Sequence, residues 1–375
     1  MYFDSLTPTR GERKTFLTLA PTMRGMPERP PPTAEDPRDL ADHALTEAMR
    51  LLDRALAPRA KVQAFRTARD VVLGLDDDDL AARVAQDTLT DLDGIGPSTG
   101  SVIAAAVAGT RPTYLEDLER STRVDPGVGA PVLEALRGDC HSHTTWSDGG
   151  ASLEEMARAA MALGHEYLVV TDHSPRLTVA HGLSPERLAE QLEEIARLNE
   201  DLAPFRLLTG MEVDILVDGT LDLADDLLAQ LDVVVASVHS KLSMPEDQMT
   251  RRMVMAAASP HVDILGHCTG RKVVGGGRAQ SRFDPDYVFA ACAQFGTAVE
   301  INCRPERQDP PEELLEIAMR WGCHISIDTD AHAPGQLEWL PYGADKAVRC
   351  EVPVERIVNT WAADELLAWT DSHPG

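Results

Sequence analysis

The spacing of apolar residues along this chain changes character near residue 138. Before it the period is helical, with Leu45, Met49, Leu52 and Leu56 on one face. Lys61–Leu73 predicts a second helix, on which Arg66 and Arg69 share a face. The four acids Asp76–Asp79 read as a solvated loop whose last member caps the next helix. Beyond residue 138, short apolar runs alternate with helical stretches. Ser152 and Glu155 make a capping box for a helix ending at Gly164, and Leu183–Asn199 is a long amphipathic helix. Alternating strand and helix units imply a parallel sheet with right-handed crossovers, and seven of them imply a closed or nearly closed barrel.

Each apolar run ends in a polar residue. Gly138–His143 contains His141 and His143, with Asp148 close behind. Tyr167–Val170 leads to His173, Leu207–Gly210 to Glu212, Val233–Val238 to His239, and Val262–Leu265 to His267. Ala298–Asn302 follows, and Ile325–Asp330 ends in Asp330 and His332. Residues at one end of successive parallel strands meet, and barrel chemistry sits at the C-terminal ends. Nine imidazole and carboxylate groups exceed the need of one tetrahedral ion, so the pattern predicts two or three divalent metals. Without thiolate, the ligand set suits catalytic Zn²⁺, Mn²⁺ or Fe²⁺. His141 and His143, two apart, project to one face, whereas Cys140 points away and Cys268 fills space beside His267. His165, His181, His261 and His324 read as hydrogen-bonded core residues. Asp139, Asp172, Glu300 and Asp328 are expected to orient imidazoles by accepting their second N–H, with Asp328 an alternative ligand.

Residues 1–35, rich in proline and without periodicity, are expected to form a flexible tail. Residues 36–120 form a helical domain, 121–137 a linker containing Asp125-Pro-Gly-Val-Gly, and 138–375 the barrel. In the helical part, Leu89–Leu92 precede Gly94-Ile95-Gly96-Pro97 and an apolar helix, Ser98–Val107. The arrangement resembles a helix-hairpin-helix, in which backbone N–H groups at a helix N-terminus face DNA phosphate. Gly94, Gly96, Ser98 and Thr99 are the candidates for that contact. An ordinary glycine turn between packed helices is the other reading, since Ser98, Thr99 and Ser101 stand where many such motifs carry lysine or arginine.

Composition narrows the partners. A net charge of −26 argues against a protein gripping nucleic acid with its whole surface, but not against local binding. Hydrophobic content is 43%, and the longest apolar stretch is far too short for a membrane span, so no membrane partner is expected. The N-terminus lacks signal-peptide features, and the six cysteines form no CxxC, which together lead to an expected cytoplasmic location with reduced thiols. Oligomeric state is not readable from the pattern.

The series HSHTTWSDG, TDHS, GMEVDILVDGTLD, SVHS, GHCTGR, EINCRPER and DTDAH resembles the PHP domain (polymerase and histidinol phosphatase), especially the version ending bacterial family X DNA polymerases. The likeness runs over about residues 138–350. It implies a distorted (β/α)7 barrel, preceded here by the small all-α helix-hairpin-helix domain. It also implies a first ion on His141, His143, Glu212 and Asp330. Glu212 would bridge to a second on His239 and His267, and Asp148, His173 and His332 would hold a third. Residues 36–120 resemble the DNA-end-binding domain of the same polymerases through Phe65-Arg66-x-x-Arg69 and the glycine hairpin. No segment is long enough for a polymerase palm, and Cys268 stands where proline is usual.

The reaction expected is phosphoester hydrolysis by metal-activated water. Arg271, Arg304 and Lys241, near strand ends, are candidates for stabilising the transition state. DNA ends are the first candidate substrate, through 3′–5′ exonuclease or 3′-end processing in repair. The alternatives are a phosphorylated small molecule (histidinol phosphate or a nucleotide) and a non-enzymatic DNA-repair scaffold.

Overall fold

The computed structural model describes residues 36–274 and 276–373. The expected tail, residues 1–35, lies outside them. The helical part comprises α1 (Pro37–Arg54), α2 (Arg59–Leu73), α3 (Asp77–Gln86), α4 (Pro97–Val107) and α5 (Thr113–Thr122). These helices share a core of their own that includes Leu45, Leu52, Phe65, Leu80, Ile103 and Leu115. Leu56 lies past the end of α1 in the left-handed region at φ 52° and is exposed, so the expected face is one residue too long. Asp76–Asp79 also differs from the sequence expectation. Asp76 is the cap, its Oδ1 accepting from Asp79 N at 2.7 Å, and the other three acids occupy the first helical turn. There their charge complements the helix dipole, which a loop would not offer.

Residues 121–137 hold a short helix, α6 (Ala130–Ala135). The barrel follows with strands β1 (Gly138–Asp139), β2 (Tyr167–Val170), β3 (Arg206–Asp214), β4 (Val233–Ser237), β5 (Ile264–Leu265), β6 (Ala298–Asn302) and β7 (Ile325–Asp328). Between and after them lie α7 (Leu153–Ala162), α8 (Pro185–Leu202), α9 (Asp225–Leu228), α10 (Glu246–Ala257), α11 (Pro285–Phe295), α12 (Glu312–Trp321), α13 (Leu340–Arg349) and α14 (Ala363–Thr370). The expected capping box is present: Ser152 accepts from Glu155 N, and Glu155 Oε2 accepts from Ser152 N at 2.8 Å.

All strands are parallel and ordered β1 to β7, a nearly closed barrel with outer helices, as the sequence pattern predicted. β2, β4, β5, β6 and β7 are buried at every position, as expected for strands covered on both faces. β3 is the bent member. Residues 206–209 pair with β2 and 210–214 with β4. A side chain on Gly210, at that change of partner, would come within 2.6 Å of Val233 O and 2.8 Å of Val169. Glu212 therefore sits inside a strand, not beyond its end.

The seam between β1 and β7 is closed mostly by side chains. Cys140 N donates to Asp328 Oδ1 at 2.8 Å, and Thr329 N donates to Asp139 Oδ2 at 3.2 Å. His143 N donates to Ala331 O at 2.7 Å, and Asn359 Nδ2 donates to Ile327 O at 2.5 Å and Gly138 O at 3.3 Å. Asp139 and Asp328 thus replace missing ladder bonds between two short strands.

Six cysteines remain as free thiols, five of them buried. Of the four histidines assigned to the core, His181 is on an exposed turn at φ 56°. His324 packs edge-on against Trp361 and Trp369, its ring centroid 5.3 and 6.0 Å from theirs. His165 Nδ1 is buried with no hydrogen-bond partner, contrary to the expectation of a bonded core residue. Burial lowers its pKa to about 4. The unfolded chain binds a proton below about pH 6.5 that the folded imidazole refuses until about pH 4, so stability should fall across that window. His165→Gln should flatten the pH dependence of urea unfolding between pH 6.5 and 4. An unchanged slope would show that other groups cause it.

Candidate metal centre

All nine sequence-identified residues meet at the C-terminal mouth of the barrel, around the Glu212 carboxylate. Glu212 Oε2 is 3.4 Å from His141 Nε2, 3.5 Å from His143 Nε2 and 3.0 Å from His173 Nδ1. Its Oε1 is 2.9 Å from His267 Nε2 and 3.2 Å from His239 Nε2. Asp330 Oδ1 lies 3.4 Å from His143 Nε2, while Asp148 Oδ1 lies 3.6 Å from His173 Nε2 and 3.5 Å from His332 Nε2. Three groups have donor atoms close enough to share an ion: His141, His143 and Asp330; His173, Glu212 and His239; and His143, Asp148, His173 and His332.

Local structure aims these side chains. His141, Ser142 and His143 run on from β1, held by the bridge from Ser142 to Ala331, and both imidazoles face inward. Asp330 adopts φ 53°, a conformation that a short polar side chain tolerates better than most. Its left-handed turn carries the chain from β7 to His332.

Several imidazoles are fixed by carboxylates behind them. Glu300 Oε1 is 2.6 Å from His141 Nδ1, and its other oxygen accepts from the backbone N–H of His267. Asp214 Oδ1 is 2.8 Å from His239 Nδ1. In both histidines this leaves the Nε2 lone pair free to face the cluster. Of the four carboxylates expected in this role, only Glu300 fills it. Asp139 and Asp328 close the barrel seam. Asp172 accepts from Thr144 N at 2.8 Å and Gln191 Nε2 at 2.6 Å, bracing the loop before Asp148. Asp328, weighed as an alternative ligand, is occupied by Cys140 N and Asn359 Nδ2.

Burial and charge pull the titrations apart. His143 is held well below the ordinary imidazole range by burial and by its neighbours His332 and His173. Burial also presses on His141, but the Glu300 and Glu212 carboxylates outweigh it and raise that group. Burial opposes ionisation of Glu212 and Asp330 too. The imidazoles around Glu212, and Arg304 with His143 and Arg307 beside Asp330, nevertheless hold both carboxyls well below their usual range.

Buried atoms with no hydrogen-bond partner concentrate here. They include His141 Nε2, both ring nitrogens of His143 and His267, His173 Nδ1 and Glu212 Oε1. Leaving so many buried polar atoms unpaired is costly unless something else binds them. Oxygen and imidazole nitrogen without thiolate form the donor set of a divalent catalytic cation, so these residues fit such ions.

The three cationic candidates fare differently. Arg304 Nη1 is 2.9 Å from His332 Nδ1 and 3.6 Å from Asp330 Oδ1, and its guanidinium lies 5.6 Å from the Trp339 ring centroid. Arg271 Nε instead donates to Arg307 O at 3.0 Å and its Nη2 to Gln308 O, so it braces the loop after β6. Lys241 is exposed on a left-handed turn, with no ion pair among the described residues. Arg307 was missed, yet its Nε is 3.2 Å from Asp330 Oδ2. The fold of the Arg304–Gln308 loop is not periodic, so no pattern pointed to it. Asp214 was also missed, although its position two residues after Glu212 on one strand puts both on the same face. Asp214→Asn should weaken divalent-metal affinity about 10–100-fold by releasing His239. Equal affinity in a competition titration would remove Asp214 from the centre.

In the helical part, Gly94 (φ 93°) and Gly96 are exposed between a 3-10 turn at Leu89–Asp91 and α4, and Ser98 is exposed in the first turn of α4. Thr99 is buried, and its hydroxyl accepts from Gly96 N at 2.9 Å. That contact takes both the Thr99 hydroxyl and the Gly96 N–H away from an external phosphate.

Known proteins resemble this chain in sequence. The PHP domain family matches residues 139–271. The DNA polymerase/3′-5′ exonuclease PolX of Bacillus subtilis (strain 168) is 40% identical over 237 residues, covering 63% of this chain. The chain spans only 41% of that relative's length. A probable phosphatase of Thermoanaerobacter sp. (strain X514) is 30% identical over 205 residues, covering 52% of this chain and 78% of the relative. A crystal structure of histidinol phosphate phosphatase from Lactococcus lactis, complexed with zinc, L-histidinol and phosphate, matches at 19% identity and a TM-score of 0.41, over 57% of this chain and 92% of that one. With this barrel, this cluster and a relative matched over most of its length, the chain belongs to the PHP-domain family.

Proposed function

We propose that this chain is a metal-dependent phosphoester hydrolase acting on DNA ends, as a 3′–5′ exonuclease or 3′-end-processing enzyme. The convergence of five imidazoles on one buried carboxylate, Glu212, carries the hydrolase reading. His141, His143, Glu212 and Asp330 would hold one ion, Glu212, His239 and His267 a second, and Asp148, His173 and His332 a third. Divalent ions bound there would lower the pKa of water and take up charge on phosphate oxygens.

The chain's own residues supply orientation and access. Glu300 and Asp214 hold the His141 and His239 rings with Nε2 turned inward. Arg304 and Arg307 place positive charge beside Asp330, where the anionic substrate arrives. His141, His143, Glu212 and His267 are sealed from solvent, whereas His239, Asp148 and His332 side chains are 14, 24 and 19% exposed. Substrate therefore enters on the Asp148–His332 side. No side-chain nucleophile is required.

The DNA reading is supported by the PolX relative and by the glycine hairpin, where Gly94 and Ser98 are exposed. A small-molecule phosphatase is the second reading, favoured by the phosphatase relative and the acid-rich surface. The test is a screen with Mn²⁺ or Zn²⁺ of labelled single-stranded, gapped and 3′-blocked DNA beside histidinol phosphate and mononucleotides. Shortening of DNA from the 3′ end is the expected result. Turnover of the small esters alone would contradict the DNA assignment.

A further inference from the structure

A cavity of about 290 Å³ opens between the α1–α2 turn and the exposed side of the metal cluster. His332 and Arg304 form part of its wall, so it is continuous with the candidate centre. Leu56, Ala57 and Val62 give it one apolar side. Arg59 and Arg66, from the first half of α2, also line it. Three arginines and one carboxylate, Asp53, therefore line it, and burial pushes the Asp53 pKa up to about 7 against the pull of Arg66. In a chain of net charge −26, these arginines gather basic groups at the mouth of the site, although Arg66 and Arg304 also have carboxylate partners.

The two α2 arginines are anchored but not used up. Arg59 Nη2 donates to Asp148 O at 2.8 Å, and Arg66 Nη2 donates to Gly150 O at 2.8 Å. Arg66 also pairs with Glu155 at 3.4 Å, while Arg59 has no carboxylate partner among the described residues. A guanidinium carries five N–H donors in a rigid fork, so several remain for a ligand. Gly149 and Gly150 form the floor next to them, and Gly150 N donates to His332 O at 2.7 Å.

We infer that this cavity is a subsite for a second phosphate, one sugar away from the phosphate being hydrolysed, with Arg59 and Arg66 as its anchors. The apolar side accommodates the intervening sugar, and the arginines select a sugar–phosphate chain over a simple monoester. The inference rests on the hydrolase reading above and specifies which esters that site prefers. It gives the helical part a direct role in substrate choice, separate from its glycine hairpin.

The test compares kcat/KM for a nucleoside 3′,5′-bisphosphate with that for the matching 3′-monophosphate, using the full chain with Mn²⁺ and identifying the released product. Wild type should prefer the bisphosphate. Arg59→Gln with Arg66→Gln should lower that preference about tenfold or more, chiefly through KM, as expected for losing charge-assisted contacts. Gln63→Glu, which puts a carboxylate on the same wall and leaves both loop anchors intact, should lower it too. A wild-type preference for the monoester, or a ratio unchanged in both variants, would overturn the subsite. A parallel fall for both esters would also overturn it, because the arginines would then only brace the Asp148 loop. If neither ester is hydrolysed, the hydrolase reading fails separately. Calorimetric binding of the bisphosphate then decides the subsite: weaker binding in the variants supports it, and equal affinity refutes it.

Discussion

Glu212→Ala should abolish hydrolysis of every phosphoester, with a loss on the order of a thousandfold or more, since bound metals contribute several kcal/mol of transition-state stabilisation. The expected loss exceeds that for any single histidine because Glu212 touches more of the cluster than any other residue. Its two oxygens lie within 3.5 Å of five imidazoles on four chain segments. Removing the carboxylate also leaves buried imidazoles facing one another, with His141–His267 and His173–His239 ring centroids 5.9 and 5.3 Å apart. The variant should therefore bind fewer ions and not merely turn over more slowly. Metal content and hydrolysis of an aryl phosphate, measured together, check this. Full activity at reduced metal content would sink the bridging role.

Deleting the helical part should be nearly as damaging, even toward a small monoester that needs no DNA contact. α1 lies directly on the Pro334–Trp339 turn that follows His332. A side chain on Gly335 would meet Arg50 O at 1.8 Å, so the two backbones touch. Trp339 is fully buried and donates from Nε1 to Arg54 O at 3.2 Å. Arg54 and Arg50 both pair with Glu338. From this turn Gln336 accepts the His332 N–H at 2.8 Å, and Trp339 lies against Arg304. Losing α1 would expose Trp339, strand Glu338 and loosen both His332 and Arg304. A milder probe is Arg54→Ala. With Glu338 still held by Arg50, losing the largely buried Arg54 side chain should cost about 2 kcal/mol. Chemical denaturation of the variant and monoester turnover by a 121–375 fragment measure the two effects. A fragment that folds and works at the full rate would show the helices to be a detachable module.

Much of the barrel was legible because its information is local. β2 and β6 were delimited to the residue by apolar runs, and the nine candidate ligands lie in or close behind such runs. The capping box at Ser152 is likewise a matter of three residues. Other features depend on contacts between distant segments. Asp139 and Asp328 look like metal-site carboxylates in sequence, but two-residue β1 cannot ladder fully with β7, and they complete the seam instead. Arg307 reaches Asp330 only because an irregular loop folds back. The lock between α1 and residues 334–339 joins segments almost 290 positions apart, which no periodicity can announce.

Metal dependence is the central property expected of this site. Protein stripped with a chelator and titrated with Mn²⁺ or Zn²⁺ should take up at least two ions per chain, rise in thermal stability and regain phosphoester hydrolysis in step with occupancy. Hydrolysis that persists undiminished in the stripped protein, or fewer than two ions bound at saturation, would contradict the polynuclear centre around Glu212.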